Sequence, residues 1–201
     1  MSVAERRGAL RESLVAAAGR AIAERGVTGL KARKLAQEAG CALGAIYNVF
    51  PDLDALVLAV NGKTLAELEA ALRHAVARGG KGRAAAIDEL VRLADAYLDF
   101  AAANPQRWRA LFEHRSPPGK KLPKAYAEQQ THLFSFIVAP LSRLRPDLDE
   151  EKRALLARTL FSAVHGIVSL GLEEKLVPIP SPLMRQQMEE VVRAMGRGLG
   201  P

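Results

Sequence analysis

The sequence predicts an all-α protein: an N-terminal three-helix helix-turn-helix unit followed by a larger helical bundle, about nine helices in all. Three observations carry this. Ala, Leu, Arg and Glu dominate, while aromatic residues make up only 5%, and the dominant residues are good helix formers. No stretch alternates apolar and polar residues long enough for a strand, whereas apolar residues recur at helical spacing throughout. Breakers such as Gly26, Gly40, Pro51 and the Arg78–Gly82 run fall between the periodic stretches. At 201 residues the chain suits one globular unit or two small domains. With 49% apolar and 25% charged residues, neither a disordered chain nor a membrane protein is expected.

The elements follow in order. Leu10, Leu14, Ala17, Ala18, Ala21 and Ile22 share one face of a first helix, which Gly26 stops after Arg25. A short helix over about 32–39 ends at Gly40, and another over about 43–49 meets Pro51. A longer helix over about 53–76 closes in the Arg78–Gly82 run. Ile87, Leu90, Val91, Ala94, Tyr97, Leu98 and Ala101 mark a near-ideal amphipathic helix. Asn104 and Pro105 are expected to cap and open a short helix through Trp108, Leu111 and Phe112. Ser116–Pro123 reads as a loop, and a helix over about 124–143 follows, which Pro140 should kink or end early. The longest candidate runs from Asp147 to Lys175, and the Val177–Pro180 run breaks it. Ser181-Pro182 start the last helix, striped by Leu183, Met184, Met188, Val191, Val192 and Met195.

In the helix over 147–175, Leu155, Leu156, Leu160, Phe161, Val164, Ile167, Val168 and Leu170 wrap much of the circumference. Such a helix is covered on two sides, either by its own core and a second subunit or as the centre of a monomeric bundle. No window holds the roughly 18 uninterrupted apolar residues of a membrane span. The N-terminal stretch lacks a small-residue cleavage site after an apolar run and reads as helix, not as a signal peptide. The single cysteine, Cys41, excludes an internal disulfide and a Cys-based zinc site, so a cytoplasmic protein is expected.

Net charge is +7, unevenly placed. Residues 1–50 hold eight Lys/Arg against four Glu, and the remaining chain holds 21 against 18. More than half of the excess therefore lies in a quarter of the chain, which fits a polyanion partner or a plain solvated basic face.

Residues 31–56, KARKLAQEAGCALGAIYNVFPDLDAL, place two short helices around Glu38-Ala39-Gly40-Cys41, the layout of a helix-turn-helix. Ala36 and Ala39 allow the helices to approach, Leu35, Ile46 and Phe50 form the small core, and Gly40 suits a positive φ. The second helix then presents Ala42, Leu43, Ala45, Tyr47 and Asn48, and the first adds Lys31, Arg33 and Lys34. A helix fits the major groove, where Asn pairs with adenine edges and small apolar side chains meet thymine methyls. The same spacing also occurs in helical proteins that bind no DNA.

The run Arg11–Val60 resembles the DNA-binding domain of TetR/AcrR-type bacterial transcriptional regulators. The matching residues are Ala23-Glu24-Arg25-Gly26, Leu35-Ala36-Gln37-Glu38-Ala39-Gly40, Gly44-Ala45-Ile46-Tyr47, Phe50-Pro51 and Leu56. The resemblance implies a helix-turn-helix domain over residues 1–50 and a helical effector-binding and dimerisation domain over residues 51–201. It also implies a homodimeric regulator of palindromic double-stranded DNA, a repressor released by a small-molecule effector. By position, Tyr47 matches a phosphate-contacting aromatic, Ala45 and Asn48 face the groove, and Gly44 marks a close approach of the backbone. The full DNA-facing set is Lys31, Arg33, Lys34, Ala42, Leu43, Gly44, Ala45, Tyr47 and Asn48. Dimerisation is expected through the last two helices, about 149–175 and 181–198. Three departures matter: Ala42 stands where the family has Ser or Thr, Leu53 where it has Lys, and Leu30-Lys31 where it often has Thr. Asp52 and Asp54 add negative charge beside that missing Lys. These departures favour the alternative of a helical small-molecule-binding or interaction protein with weakened DNA readout.

Ala94–Phe112 and Phe161–Leu172 resemble the effector domain of regulators with a Trp-His-Gly signature, here Val164-His165-Gly166. An effector is expected among Tyr97, Phe100, Trp108, Phe112, Phe134, Phe161 and His165, residues that an ordinary core would also use. His165 reads first as a core or interface histidine, Gly166 as an aid to close packing, and Asp95, Asp99, Arg109 and Glu113 as possible polar contacts. Cys41 reads as a small hydrophobe, with a redox switch as the rival. The four histidines have no metal-ligand spacing, Gly79–Gly82 is no P-loop, and no catalytic triad is visible, so neither metal, cofactor nor enzymatic activity is expected.

Overall fold

Ser2 sets the start of the fold. Its hydroxyl accepts the Glu5 N–H at 3.1 Å while the Glu5 carboxylate accepts the Ser2 N–H at 2.6 Å, a reciprocal box that satisfies two of the unpaired donors of a helix start. Helix α1 (Val3–Arg25) runs from there to Gly26, which adopts φ +68°. In this computed structural model, which describes residues 2–77, 79–115, 119–173 and 180–199, eight more helices follow. They are α2 (Ala32–Glu38), α3 (Leu43–Val49), α4 (Leu53–Val76), α5 (Gly82–Ala103), α6 (Pro105–Glu113), α7 (Lys124–Leu144), α8 (Glu150–Gly171) and α9 (Ser181–Gly198). A 3-10 turn, Val27–Gly29, joins α1 to α2, and no strand occurs among the described residues. The all-α expectation holds.

The chain forms two compact units. The first comprises Met1–Ala66 and Asn104–Ala127 and so extends past residue 50. Its core joins Leu14, Ala18 and Ile22 of α1, Leu35 and Ala36 of α2, Ile46 of α3, Phe50, and Leu56 and Val60 of α4. Ala110 of α6 completes it, 1% exposed.

The second unit comprises Glu67–Ala103 and Glu128–Pro201. Leu90, Val91, Ala94 and Leu98 of α5 are buried, as are Met184, Met188 and Val192 of α9. A Cβ on Gly196 would lie 2.9 Å from Ile87 Cγ1, so only glycine lets α9 come this close to α5. Polar clamps reinforce the pair. Arg83 donates to the carbonyls of Gly196 and Arg197, both at 3.1 Å, and Arg193 reaches Asp88 at 2.6 Å. Arg185 pairs with Asp95 at 3.1 Å and with Asp99.

Four local expectations are corrected. Helix α7 does not end early: it passes through Pro140 to Leu144, because Pro140, Leu141 and Leu144 are all fully buried and hold the last turn. Helix α8 begins after Asp149, whose carboxylate accepts the Lys152 N–H at 2.8 Å, and ends at Gly171. It is therefore shorter than 147–175, and Lys175 lies outside the described residues. Asn104 occupies the N-cap position of α6 but makes no capping hydrogen bond, its backbone lying at φ −132°, ψ 50°. Gly82 opens α5 rather than closing α4. The expected loop over 116–123 and the break over 177–180 fall partly outside the described residues.

Candidate functional site

Helices α2 and α3 are each only seven residues long, so their stability comes from the core they share. Leu35, Ile46 and Phe50 are 1%, 0% and 3% exposed. Between the helices Gly40 adopts φ +65°, as the turn requires, and the Cys41 N–H donates to the Ala36 carbonyl at 2.9 Å. Cys41 itself is half-buried against this core.

Burying one face fixes what the other presents. Lys31, Arg33, Lys34, Ala42, Leu43, Gly44, Tyr47 and Asn48 are exposed, and Ala45 is half-buried. Tyr47 is 50% exposed, high for an aromatic in a well-packed unit. A Cβ on Gly44 would meet nothing within 4 Å, so the backbone there is open to a close approach. Among the described residues no ion pair involves Lys31, Arg33 or Lys34. Neither helix has a side-chain N-cap: Lys31 and Ala42 stand at those positions and make no cap bond.

The two acidic residues at the start of α4 are turned to internal use. Asp52 accepts the Ala55 N–H at 2.8 Å and the Lys120 ammonium at 2.7 Å. Asp54 pairs with His114, just past α6, and takes Lys120 at 2.6 Å. The hydrogen bond from Lys120 holds the Asp52 carboxyl below the ordinary carboxylate range, and the same contact pushes the Lys120 ammonium up. The negative charge beside Leu53 is thus neutralised within the unit.

A second polar set joins α4 to α6 in the same unit. Asn61, 1% exposed, donates to the Ala110 carbonyl at 3.0 Å. Thr64, fully buried, accepts from Arg107 at 3.3 Å and donates to the Val60 carbonyl at 3.2 Å. Burial pushes the Tyr126 hydroxyl up, against a hydrogen bond with Asn61. These residues were missed by sequence reasoning; two polar positions inside an otherwise apolar α4 stripe were the available signal.

Of the residues expected to meet an effector, four are brought together in the second unit. The Tyr97 hydroxyl lies 2.7 Å from His165 Nδ1. Phe161 stacks on His165 with centroids 5.5 Å apart, and meets Tyr97 and Phe134 edge-on at 5.5 and 5.4 Å. Burial holds the His165 imidazole below its ordinary value, which favours the neutral ring. Phe100 of this unit is buried. Trp108 and Phe112 belong to the first unit, where their rings meet edge-on at 5.5 Å. Asp95 and Asp99 face Arg185 of α9, and Glu113 is exposed. Gly166 is not a packing glycine, since a Cβ there would meet nothing within 4 Å.

Helices α8 and α9 leave apolar surface uncovered: Leu155 is 64% exposed, Leu170 57% and Leu183 46%. The helix Glu150–Gly171 is long and apolar enough, at a mean hydropathy of 1.4, to pass a membrane-span test, although Arg158 interrupts it. No cluster among the described residues has the His, Cys or carboxylate groups to hold a metal ion.

Comparison with known proteins agrees with this geometry. Residues 14–60 match the family model described as bacterial regulatory proteins, tetR family. Residues 90–195 match the tetracyclin repressor-like C-terminal domain. Among solved structures, the chain is similar to a protein of unknown function from Rhodococcus sp. RHA1, at 26% identity over 96% of both chains with a TM-score of 0.76. It shares its fold with a candidate tetR family transcription regulator from Shewanella sp. PV-4, at 19% identity over 93% of this chain and 95% of that one, TM-score 0.66. It also shares it with the TetR family transcriptional regulator PfmR from Thermus thermophilus, at 18% identity over 92% and 96%, TM-score 0.59.

Proposed function

The chain belongs to the tetR family of bacterial regulatory proteins, and on that premise we propose that it is a homodimeric, sequence-specific repressor that a small molecule releases from its operator. In this reading residues 1–50 read the DNA and residues 51–201 bind the effector and dimerise. The observation that carries it is the exposed face of α2 and α3. Lys31, Arg33 and Lys34 stand there without internal ion pairs among the described residues, while Asp52 and Asp54 are drawn into the unit by Lys120 and His114. Tyr47 and Lys31 contact phosphate, Gly44 lets the strand approach, and Ala42, Leu43, Ala45 and Asn48 face base edges.

The exposed Leu155, Leu170, Leu183 and Val191 on α8 and α9 support a dimer, since a second copy would cover them. Such a dimer sets two recognition helices about 34–36 Å apart, one turn of DNA. The cluster of Tyr97, Phe134, Phe161 and the neutral His165 suits an apolar or aromatic effector. Release follows if the effector binds better to a conformation with the wrong helix spacing, because only differential affinity shifts a population. This role needs no cofactor and no catalytic step, and it belongs in the cytoplasm with the DNA.

The uncapped Ala42 supports a second reading, an effector-binding protein of the same fold with weakened readout. Selection of bound sequences from a random duplex library, followed by anisotropy across a salt series, separates the two. A palindrome with half-sites one turn apart is expected. Lys31/Arg33/Lys34→Ala should reduce the salt slope by roughly 2.7, about 0.9 for each lost phosphate contact. No enriched sequence, or a triple variant binding like wild type, overturns the repressor reading.

A further inference from the structure

We propose that the N-terminal half of α1 is a second DNA-contacting surface, in which Arg7 and Arg11 hold the sugar-phosphate strand beside the groove that α3 enters. The inference rests on the DNA-binding reading above and extends it to residues outside the helix-turn-helix. Val3, Ala4, Arg7, Gly8 and Arg11 fall on one face of α1, and with Val49, the last residue of α3, they line an open concavity of about 640 Å³. A helix seated in a major groove about 12 Å wide is flanked by both backbones. The surface continuous with the end of α3 therefore meets a strand, not base edges.

The chemistry of this concavity fits that occupant. Among the described residues neither arginine has a carboxylate partner, and the nearest acid on the first turn, Glu5, is turned back to the Ser2 N–H. The Arg11 guanidinium lies 5.2 Å over the Phe50 ring, which restrains the side chain while leaving its in-plane N–H groups free to meet phosphate oxygens. The Ser2–Glu5 box makes this end of α1 a rigid helix instead of a loose arm, so little order is lost on binding. Gly8 is the remaining anomaly. Mid-helix glycine costs about 1 kcal/mol against alanine, yet a Cβ at Gly8 would meet nothing within 4 Å. Nothing inside the unit asks for glycine there. A strand seated between Arg7 and Arg11 does, because it must pass close over the helix backbone.

The test uses the full-length dimer and the operator duplex recovered by selection, with a mixed-sequence duplex of equal length beside it. Arg7→Ala/Arg11→Ala should lower the slope of log K against log salt by roughly 1.8 on both duplexes, two contacts at about 0.9 each, without changing the sequence preferred. Arg7→Lys/Arg11→Lys should keep most of the slope. Gly8→Glu should weaken binding while leaving the melting temperature at or above wild type. Phosphate-ethylation interference should mark phosphates flanking each half-site in wild type and lose them in the double alanine variant. A double alanine variant with wild-type slope and affinity overturns the proposal and leaves the repressor reading standing. A wild-type chain that binds neither duplex overturns both.

Discussion

Asp54→Ala tests whether the acidic start of α4 is structural. The carboxylate is shared by His114 and Lys120, with side-chain exposures of 9%, 12% and 30%. Breaking a buried pair from one side costs about 3–5 kcal/mol, because the partner is left buried and unmatched. Two features bring the figure down here. Lys120 still pairs with Asp52 at 2.7 Å and reaches water, so its loss is small. His114 keeps one edge toward solvent. What remains is the charge-assisted bond between Asp54 and a largely buried imidazole, about 2 kcal/mol. For a chain of 201 residues that lowers the melting temperature by roughly 4–8 °C. Thermal unfolding of Asp54→Ala, His114→Ala and the double variant measures it, and the cycle should return a coupling of about 1–2 kcal/mol. A cost below about 0.5 kcal/mol for Asp54→Ala, or strictly additive effects, would refute the internal role and return Asp54 to the surface as a charge that repels phosphate.

Three further outcomes are expected. Ala42→Ser supplies the missing cap of α3 and should raise stability by about 1 kcal/mol in urea titration, with tighter operator binding in the same preparation. Gly40→Ala and Gly26→Ala both place a Cβ at positive φ, +65° and +68°, at about 1–2 kcal/mol each. Gly26→Ala should cost the more of the two, since its Cβ would also press Gln106 Oε1 at 3.1 Å. His165 gives stability a pH dependence: burial lowers the folded value, so below the ordinary histidine value of about 6.5 the unfolded chain takes up a proton that the folded chain resists. Its contribution is present at pH 7 and is lost as pH falls toward 5; His165→Phe should flatten that part of the melting-temperature profile, and an unchanged profile would remove His165 as its source.

Much of the architecture was legible because it is written in local periodicity. The ends of α2 and α3 follow from Gly40, Pro51 and the spacing of Leu35, Ile46 and Phe50, and the structure buries those three residues. Burying that face exposes the opposite one by geometry, so the surface with Lys31, Tyr47 and Asn48 could be read from the same pattern. What sequence could not supply were pairings across long separations. Asp52 and Asp54 read as a repulsive pair because nothing local reveals Lys120, 68 residues downstream of Asp52. Asp95 and Asp99 looked available to a ligand until Arg185 of α9 was placed beside them. Pro140 misled for a related reason: intrinsic propensity opposes it, and tertiary burial of its neighbours decides.

Ala110 in the first core has a consequence for how the protein is made. The DNA-reading unit is assembled from two separated stretches of chain, the second beginning at Asn104. A ribosome that has released residues 1–66 has therefore delivered all three helices of the reading head but not the α6 residue that seals their core. The apolar face of α1 stays wet until the intervening segment has emerged and its ends have been brought together, a closure whose entropic cost grows only slowly with loop length. Nascent chains halted near residue 66 should consequently be protease-sensitive and prone to associate, while chains halted beyond residue 127 should protect α1. The same connectivity warns against studying the reading head as an excised fragment: removing everything after residue 66 deletes part of its interior.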